Sequence, residues 1–202
     1  MPGVRERPPV RGTGYIGFVD PSGGSSDSMV LAICHRERDG RVVLDLVRER
    51  KPPFSPEAVV AEFCETLKAI HRLFGDHYAG EFAREPFRLR GINYQLADKP
   101  KSDLYRDALP LMNSGKVQLL DLPRLVLQLT QLERRVSRAG KDSIDHPPGA
   151  HDDLANAVCG AVVTAVSGPW QLKISDEVLR RFSVPSCPAA FLQPGYVNRV
   201  RY

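Results

Sequence analysis

Apolar residues come in blocks whose spacing alternates between strand-like and helix-like. YIGFVD (15–20) is a short apolar run ending in Asp20, and the turn-rich PSGGSSD (21–27) follows it. SMVLAICHRE (28–37) and RVVLDLVRER (41–50) read as two further strands joined by a turn at Asp39-Gly40, which predicts a three-strand antiparallel meander. SPEAVVAEFCETLKAI (55–70) then changes to helical spacing, with Ser55 as cap, Pro56 at the first position and Glu57 in the first turn. HRLFGDHYAGEF (71–82) predicts a short strand followed by a loop, REPFRLRG (84–91) a short helix stopped by Gly91, and INYQLA (92–97) a strand. KSDLYRDALPLMNSG (101–115) predicts a helix capped by Ser102 that Pro110 should bend or shorten, and KVQLLD (116–121) a short strand. LPRLVLQLTQLERRVS (122–137) predicts a long amphipathic helix and RAGKDSIDHPPGA (138–150) a loop, before a last helix that runs to about residue 166. This order predicts an α/β fold, a mixed sheet of meander plus parallel strands flanked by helices. The expected organisation is a basic, Pro-rich tail or linker remnant (1–13), one domain (14–166) and an irregular C-terminal extension (167–202).

The last helix poses the sharpest chemical question. It opens with His151, Asp152 and Asp153 in GAHDDLANAVCGAV (149–162), and almost everything after them is small or apolar. Leu154, Ala157, Val158, Ala161, Val162 and Ala165 follow helical spacing, while Ala155, Cys159 and Val163 fill much of the remaining circumference. A helix apolar nearly all round is buried. Asp is a preferred residue at a helix N-terminus, where its carboxylate accepts free N–H groups and meets the positive end of the dipole. Two adjacent carboxylates near a core repel one another and are both penalised by desolvation, and a bound cation relieves both costs. A cap and a metal or catalytic site are therefore the two readings of this motif.

Composition narrows the setting. With 202 residues the chain is long enough for one well-buried domain, and 42% hydrophobic and 26% charged residues are ordinary for a globular protein. Cys34, Cys64, Cys159 and Cys187 form no CxxC pair, which predicts reduced thiols and speaks against a zinc ribbon or disulfide scaffold; Cys159 reads as a small core residue. No apolar run reaches transmembrane length and the start lacks a signal-peptide core, so no membrane association is expected. The net charge is +4, and between Arg84 and Lys141 twelve Lys or Arg face six Asp or Glu. A basic surface around an acidic centre suits a polyanion held near metal ions.

Three places carry an acid at a pointed position. Asp20 ends the first strand, Asp76 follows the strand after the first helix, and Asp152 and Asp153 open the last helix. If the first and fourth strands are parallel neighbours, Asp20 and Asp76 leave the same sheet edge, and the buried helix brings its N-terminus there. Such an oxygen-rich group suits Mg²⁺ or Mn²⁺. Two ions about 3.5–4 Å apart can clamp the attacking and leaving oxygens of a phosphodiester displacement. The glycines after Asp20 would let a phosphate backbone come close. Lys99, Lys101, Arg106, Arg134, Arg135 and Arg138 are candidates for phosphate contact. Tyr78 and Tyr94 could stack on a base, with packing the safer expectation.

FVDPSGGSSDS (18–28), GDHYAGEFAREPFRLRGINY (75–94), KSDLYRDALPLMNSGKVQLLD (101–121) and GAHDDLANAV (149–158) together resemble the nuclease domain of the large terminase subunit of tailed bacteriophages, which has a ribonuclease H-like fold. The resemblance covers about residues 15–166. It implies a divalent-metal-dependent endonuclease that cuts concatemeric double-stranded viral DNA by two-metal hydrolysis during genome packaging, in the cytoplasm of an infected or lysogenic bacterial host. It implies Asp20, Asp76 and either Asp152 or Asp153 as catalytic, metal-binding acids, with Asp153 favoured as the direct ligand and Asp152 as its partner or a cap. His151 would orient a carboxylate, contact phosphate or simply be structural, and Asp27 and Glu81 would be peripheral. The implied partners are a packaging ATPase domain, a small terminase and a portal. A complete large terminase carries a GxxxxGK[ST] phosphate loop, and this sequence has none, so an isolated nuclease domain, as a fragment or remnant, is expected.

Other readings differ in class. Sugar and acetate kinases share the core and an Asp-containing phosphate loop, but need two such domains around ATP. A non-catalytic DNA-binding or packaging-assembly module would keep DNA affinity after loss of Asp20. A resolvase or transposase is close in chemistry, but the HDD helix and the GDHYAG segment favour a terminase nuclease.

Overall fold

The computed structural model describes residues 1–67, 70, 72–76, 80–136 and 142–167, with the backbone alone for 80–83. Its first three strands are β1 (Tyr15–Asp20), β2 (Met29–Arg36) and β3 (Val42–Arg50), which form the expected antiparallel meander. Gly40 makes the β2–β3 turn at a φ of 89°, a left-handed conformation that a side chain disfavours. Helix α1 (Pro56–Leu67) leads to β4 (Leu73–Gly75), α2 (Gly80–Leu89) to β5 (Tyr94–Leu96), and α3 (Lys101–Asn113) to β6 (Val117–Gln118). The sheet order is β5-β4-β1-β2-β3-β6, with β4 parallel to β1, β5 parallel to β4 and β6 parallel to β3.

Alternation along the strands builds a core on each side of this sheet. Phe18, Val30, Ala32 and Cys34 face one side with α3, α4 (Pro123–Gln131) and α5 (Asp153–Ser167). Val19, Met29, Leu31 and Ile33 face the other with α1, Phe87 and Tyr94. Helix α5 is buried along almost its whole length, as its all-round apolar pattern requires. It lies tight on β1, because a Cβ placed on Gly160 would sit 2.4 Å from Phe18 Cζ. Cys34, Cys64 and Cys159 are unpaired and buried, and burial pushes the Cys159 thiol up to about 12.

Several expectations need correction. The long helix expected over 122–137 ends at Gln131, where Leu132 turns extended at φ −63° and ψ 131°. ERRV then forms β7 (Glu133–Val136), antiparallel to β8 (Asp142–Asp145) inside the expected 138–150 loop. Pairing across strands explains the override: Arg134 bonds both oxygens of Asp142, at 2.9 and 2.8 Å. Helix α2 begins at Gly80, within the expected loop. Pro100, not Ser102, occupies the α3 N-cap, and Ser102 Oγ instead accepts the Ile144 N–H at 2.8 Å. Pro110 lies within α3, which continues to Asn113.

The segment 1–13 contains no helix or strand, yet it bonds to the domain. The Met1 ammonium donates to Leu119 O at 2.8 Å, and Arg7 and His35 both engage the buried Asp45. Residues 168–202 lie outside the described residues. Among the described residues no helix is long and apolar enough to cross a membrane.

Candidate metal centre

Strand register brings the first two acids together. Val19 pairs with Gly75 in the parallel β1–β4 ladder, so Asp20 and Asp76 are the next residues on adjacent strands leaving the same edge. Helix α5 crosses above and delivers Asp152 and Asp153 to that edge. The four acids line one cleft of about 960 Å³, together with Ser22, Asp27, Lys101, Asp145, His146, His151 and Asn156.

The α5 N-terminus separates the cap reading from the site reading. Gln128 of α4 is buried, and its Oε1 accepts the N–H of Leu154 at 2.8 Å and of Ala155 at 3.1 Å. The Asp152 backbone carbonyl accepts the Asn156 N–H at 2.7 Å. A neighbouring helix thus satisfies donors that a carboxylate cap would otherwise take.

The two adjacent acids point into different surroundings. Tyr105 Oη donates to Asp152 Oδ2 at 2.7 Å, and Lys101 Nζ lies 3.0 Å from the same oxygen. Asp153 is equally buried and accepts the Ser28 N–H, but its Oδ2 has no hydrogen-bond partner. Burial raises the Asp153 carboxyl pKa; His151 opposes that shift, while Asp27 and Asp152 add to it. Asp20 is raised well above the usual carboxylate range, first by burial and then by repulsion from Asp153, Asp76 and Asp152, against a hydrogen bond from Asn156. The Asn156 amide also reaches Asp76 Oδ2 at 3.4 Å, and its own Oδ1 is buried without a partner.

Orphaned buried oxygens and mutually repelling carboxyls on one cleft fit a hard divalent cation. Among the described residues, two groups have ligand atoms within 4.8 Å of one another: Asp27, His151 and Asp153, and Asp145, His146 and Asp152. The adjacent acids of the HDD motif therefore belong to separate groups. His151 Nδ1 lies 3.4 Å from Asp27 Oδ1 at the exposed rim.

The expected phosphate-contacting cations are engaged by acids of the protein itself. Lys99 pairs with Asp107 at 2.5 Å, Arg106 with Asp103 at 2.9 Å, Arg134 with Asp142, and Arg135 with Glu133 at 3.1 Å. Exposed pairs of this kind are weak and can exchange for phosphate. Among the described residues of this group, Lys101 alone lines the main cleft. Arg138 and Tyr78, and the side chain of Glu81, fall outside the described residues. Tyr94 is buried, stacked on Phe87 and pressed on Gly75, where a Cβ would overlap its hydroxyl. Gly24, at a φ of 83°, lies against Phe54 O, so packing accounts for this glycine of the loop after Asp20.

Sequence reasoning missed Gln128, Tyr105 and Asn156. Asn156 had a visible signal, as a polar residue one turn after the HDD motif in a largely apolar helix. Gln128 and Tyr105 had none, since each acts through a helix packed from elsewhere in the chain.

No protein-family model matches the sequence, and no curated protein matches it significantly. Solved structures do match. The large terminase nuclease of the thermophilic phage G20c, crystallised with bound magnesium, is 17% identical over 79% of this chain and 84% of that one, with a TM-score of 0.65. A crystal of the same nuclease holds cobalt. The nuclease domain of the Thermus phage P74-26 large terminase is 16% identical over 80% of this chain and 90% of that one, with a TM-score of 0.63. The bacteriophage HK97 large terminase is 17% identical with a TM-score of 0.60, and the match covers 78% of this chain but 40% of that one. At these identities the likeness is one of fold: the chain has the mixed α/β, ribonuclease H-like fold of the large-terminase nuclease domain.

Proposed function

We propose that this protein is a divalent-metal-dependent endonuclease that cuts double-stranded DNA during viral genome packaging. The observation that carries this reading is the meeting of Asp20, Asp76 and the α5 acids at one cleft, with Asp153 Oδ2 buried and unpartnered. Asp20, Asp76 and Asp153 would hold the cation, with Asp27 and His151 grouped beside Asp153, and the carboxylate-rich donors suit Mg²⁺ or Mn²⁺. When bound, such ions activate water and neutralise charge on a phosphodiester, most effectively as a pair. Asn156 bridges Asp20 and Asp76 and fixes their spacing, while Tyr105 holds Asp152. Lys99, Arg106, Arg134 and Arg135 would exchange their surface partners for DNA phosphates, giving backbone-led binding with little sequence preference. A packaging ATPase, a small terminase and a portal are the proposed partners, and the host cytoplasm is the proposed setting.

Plasmid digestion with Mn²⁺, Mg²⁺ or EDTA tests the reading, beside Asp20→Ala and Asp153→Ala. Metal-dependent cutting lost in both variants supports it. A folded wild type that binds DNA without cutting under any metal would favour a packaging-assembly module instead.

A further inference from the structure

Lys101 stands in a place that the nuclease reading does not use. Asp145 Oδ1, His146 Nε2 and an Asp152 oxygen converge from β8, the chain just after it and the start of α5. His146 Nδ1 lies 2.9 Å from the Pro147 carbonyl, an acceptor only, so Nδ1 carries the proton of the neutral ring. Nε2 is then the ring nitrogen that faces Asp145 Oδ1 and Asp152 Oδ1, 3.8 Å from each. Two carboxylates and an imidazole lone pair form a divalent-metal ligand set. The Lys101 ammonium sits among them, 3.1 Å from Asp145 Oδ1 and 3.0 Å from Asp152 Oδ2.

The surrounding bonds hold it there. Lys101 is the first residue of α3, and its neighbour Ser102 accepts the Ile144 N–H from β8 at 2.8 Å. One turn further along, Tyr105 donates to the Asp152 oxygen that Lys101 also contacts. The start of α3 is thereby tied to β8 on one side and to α5 on the other.

We propose that the Lys101 ammonium is the resident cation of the Asp145–His146–Asp152 group, a positioning residue that reserves Asp152 from metal and leaves Asp153 to bind it. This division deepens the nuclease reading and rests on it only for the role of Asp153. It also places a fixed positive charge on the wall of the cleft that would receive a phosphate.

Mn²⁺ binding to the intact protein, counted by titration and examined by electron spin-echo spectroscopy for imidazole nitrogen, provides the test. In the wild type, His146→Ala should change neither the number of ions nor the nitrogen coupling. Lys101→Met should gain one Mn²⁺ per chain, with nitrogen coupling that survives His151→Ala and disappears with His146→Ala. Lys101→Arg, which keeps the charge, should gain none. The proposal is overturned if the wild type already shows His146-dependent coupling, a measurement that needs no folded Lys101 variant. It is equally overturned if folded Lys101→Met gains no ion. A wild type whose Mn²⁺ binding ignores Asp20 and Asp153 would instead sink the nuclease reading, and the Lys101→Met comparison would still decide this one.

Discussion

Asp153→Asn should reverse the usual relation between stability and ligand. In the wild type a carboxylate buried to 7% exposure leaves Oδ2 without a partner, and its pKa is raised by that burial. An unsatisfied buried polar group costs about 1–3 kcal/mol, and more when charged. A neutral amide of the same shape keeps a polar atom there but removes the buried charge and its repulsion with Asp20 and Asp152. It should recover about 1–2 kcal/mol in EDTA, or roughly 2–8 °C in Tm for a chain of this size. Metal should invert the order. An ion at a hundred times its Kd stabilises the folded state by about 2.7 kcal/mol, and the variant, lacking its ligand, should gain little. Thermal unfolding of both proteins in EDTA and across a Mg²⁺ series therefore predicts curves that cross. A variant less stable than wild type in EDTA would mean that the carboxylate is a structural cap. A variant stabilised by Mg²⁺ as strongly as wild type would remove Asp153 from the proposed metal site.

Gln128→Met keeps the side-chain length but withdraws the acceptor from the buried Leu154 and Ala155 N–H groups, so urea unfolding should show a loss of about 2–4 kcal/mol. Gly160→Ala places a methyl group 2.4 Å from Phe18 Cζ and should cost about 1–3 kcal/mol by lifting α5 from β1; on the proposed function it should also slow DNA cutting, because the start of this helix carries the acids. Asp20 and Asp153 both have raised pKa values, so between the ordinary carboxylate range and those values the folded chain holds more protons than the unfolded one. Stability in EDTA should then fall as pH rises through that window, and saturating Mg²⁺ should flatten the slope, as Tm measured against pH would show.

The legible parts of the fold were those specified locally. Strands β1 to β3 follow apolar runs and the Asp39-Gly40 turn, α1 follows its Ser55-Pro56 start, and α5 follows an apolar circumference that only a buried helix can have. The β7–β8 pair was illegible for the opposite reason. ERRV continues the amphipathic pattern of α4, and only the facing DSID segment, with Asp142 against Arg134, gives its backbone a better partner. The same limit applies to the site. Asp20 and Asp76 could be paired in advance, because parallel neighbours must leave the sheet at one edge. The different environments of Asp152 and Asp153 could not, because they depend on Tyr105, Lys101, Gln128 and Ser28, which come from elements that the order alone does not dock.

Those docked partners explain why a chain tolerates two adjacent carboxylates at the mouth of a buried helix. Were both left to the helix dipole, they would compete for the same few N–H groups while repelling each other. Gln128 removes that competition by bonding Leu154 and Ala155 from outside. Asp152 is then free to be held by Tyr105 and Lys101, whose positive charge compensates one carboxylate. Asp153 is left with an uncompensated oxygen beside Asp20, whose own carboxyl is pushed up by the same crowding. The cost of burial is concentrated on the pair facing the cleft from α5 and β1, where a divalent cation can relieve it. Close packing of Gly160 on Phe18 keeps that helix seated over β1, so the spacing of the acids is set by the core beneath them.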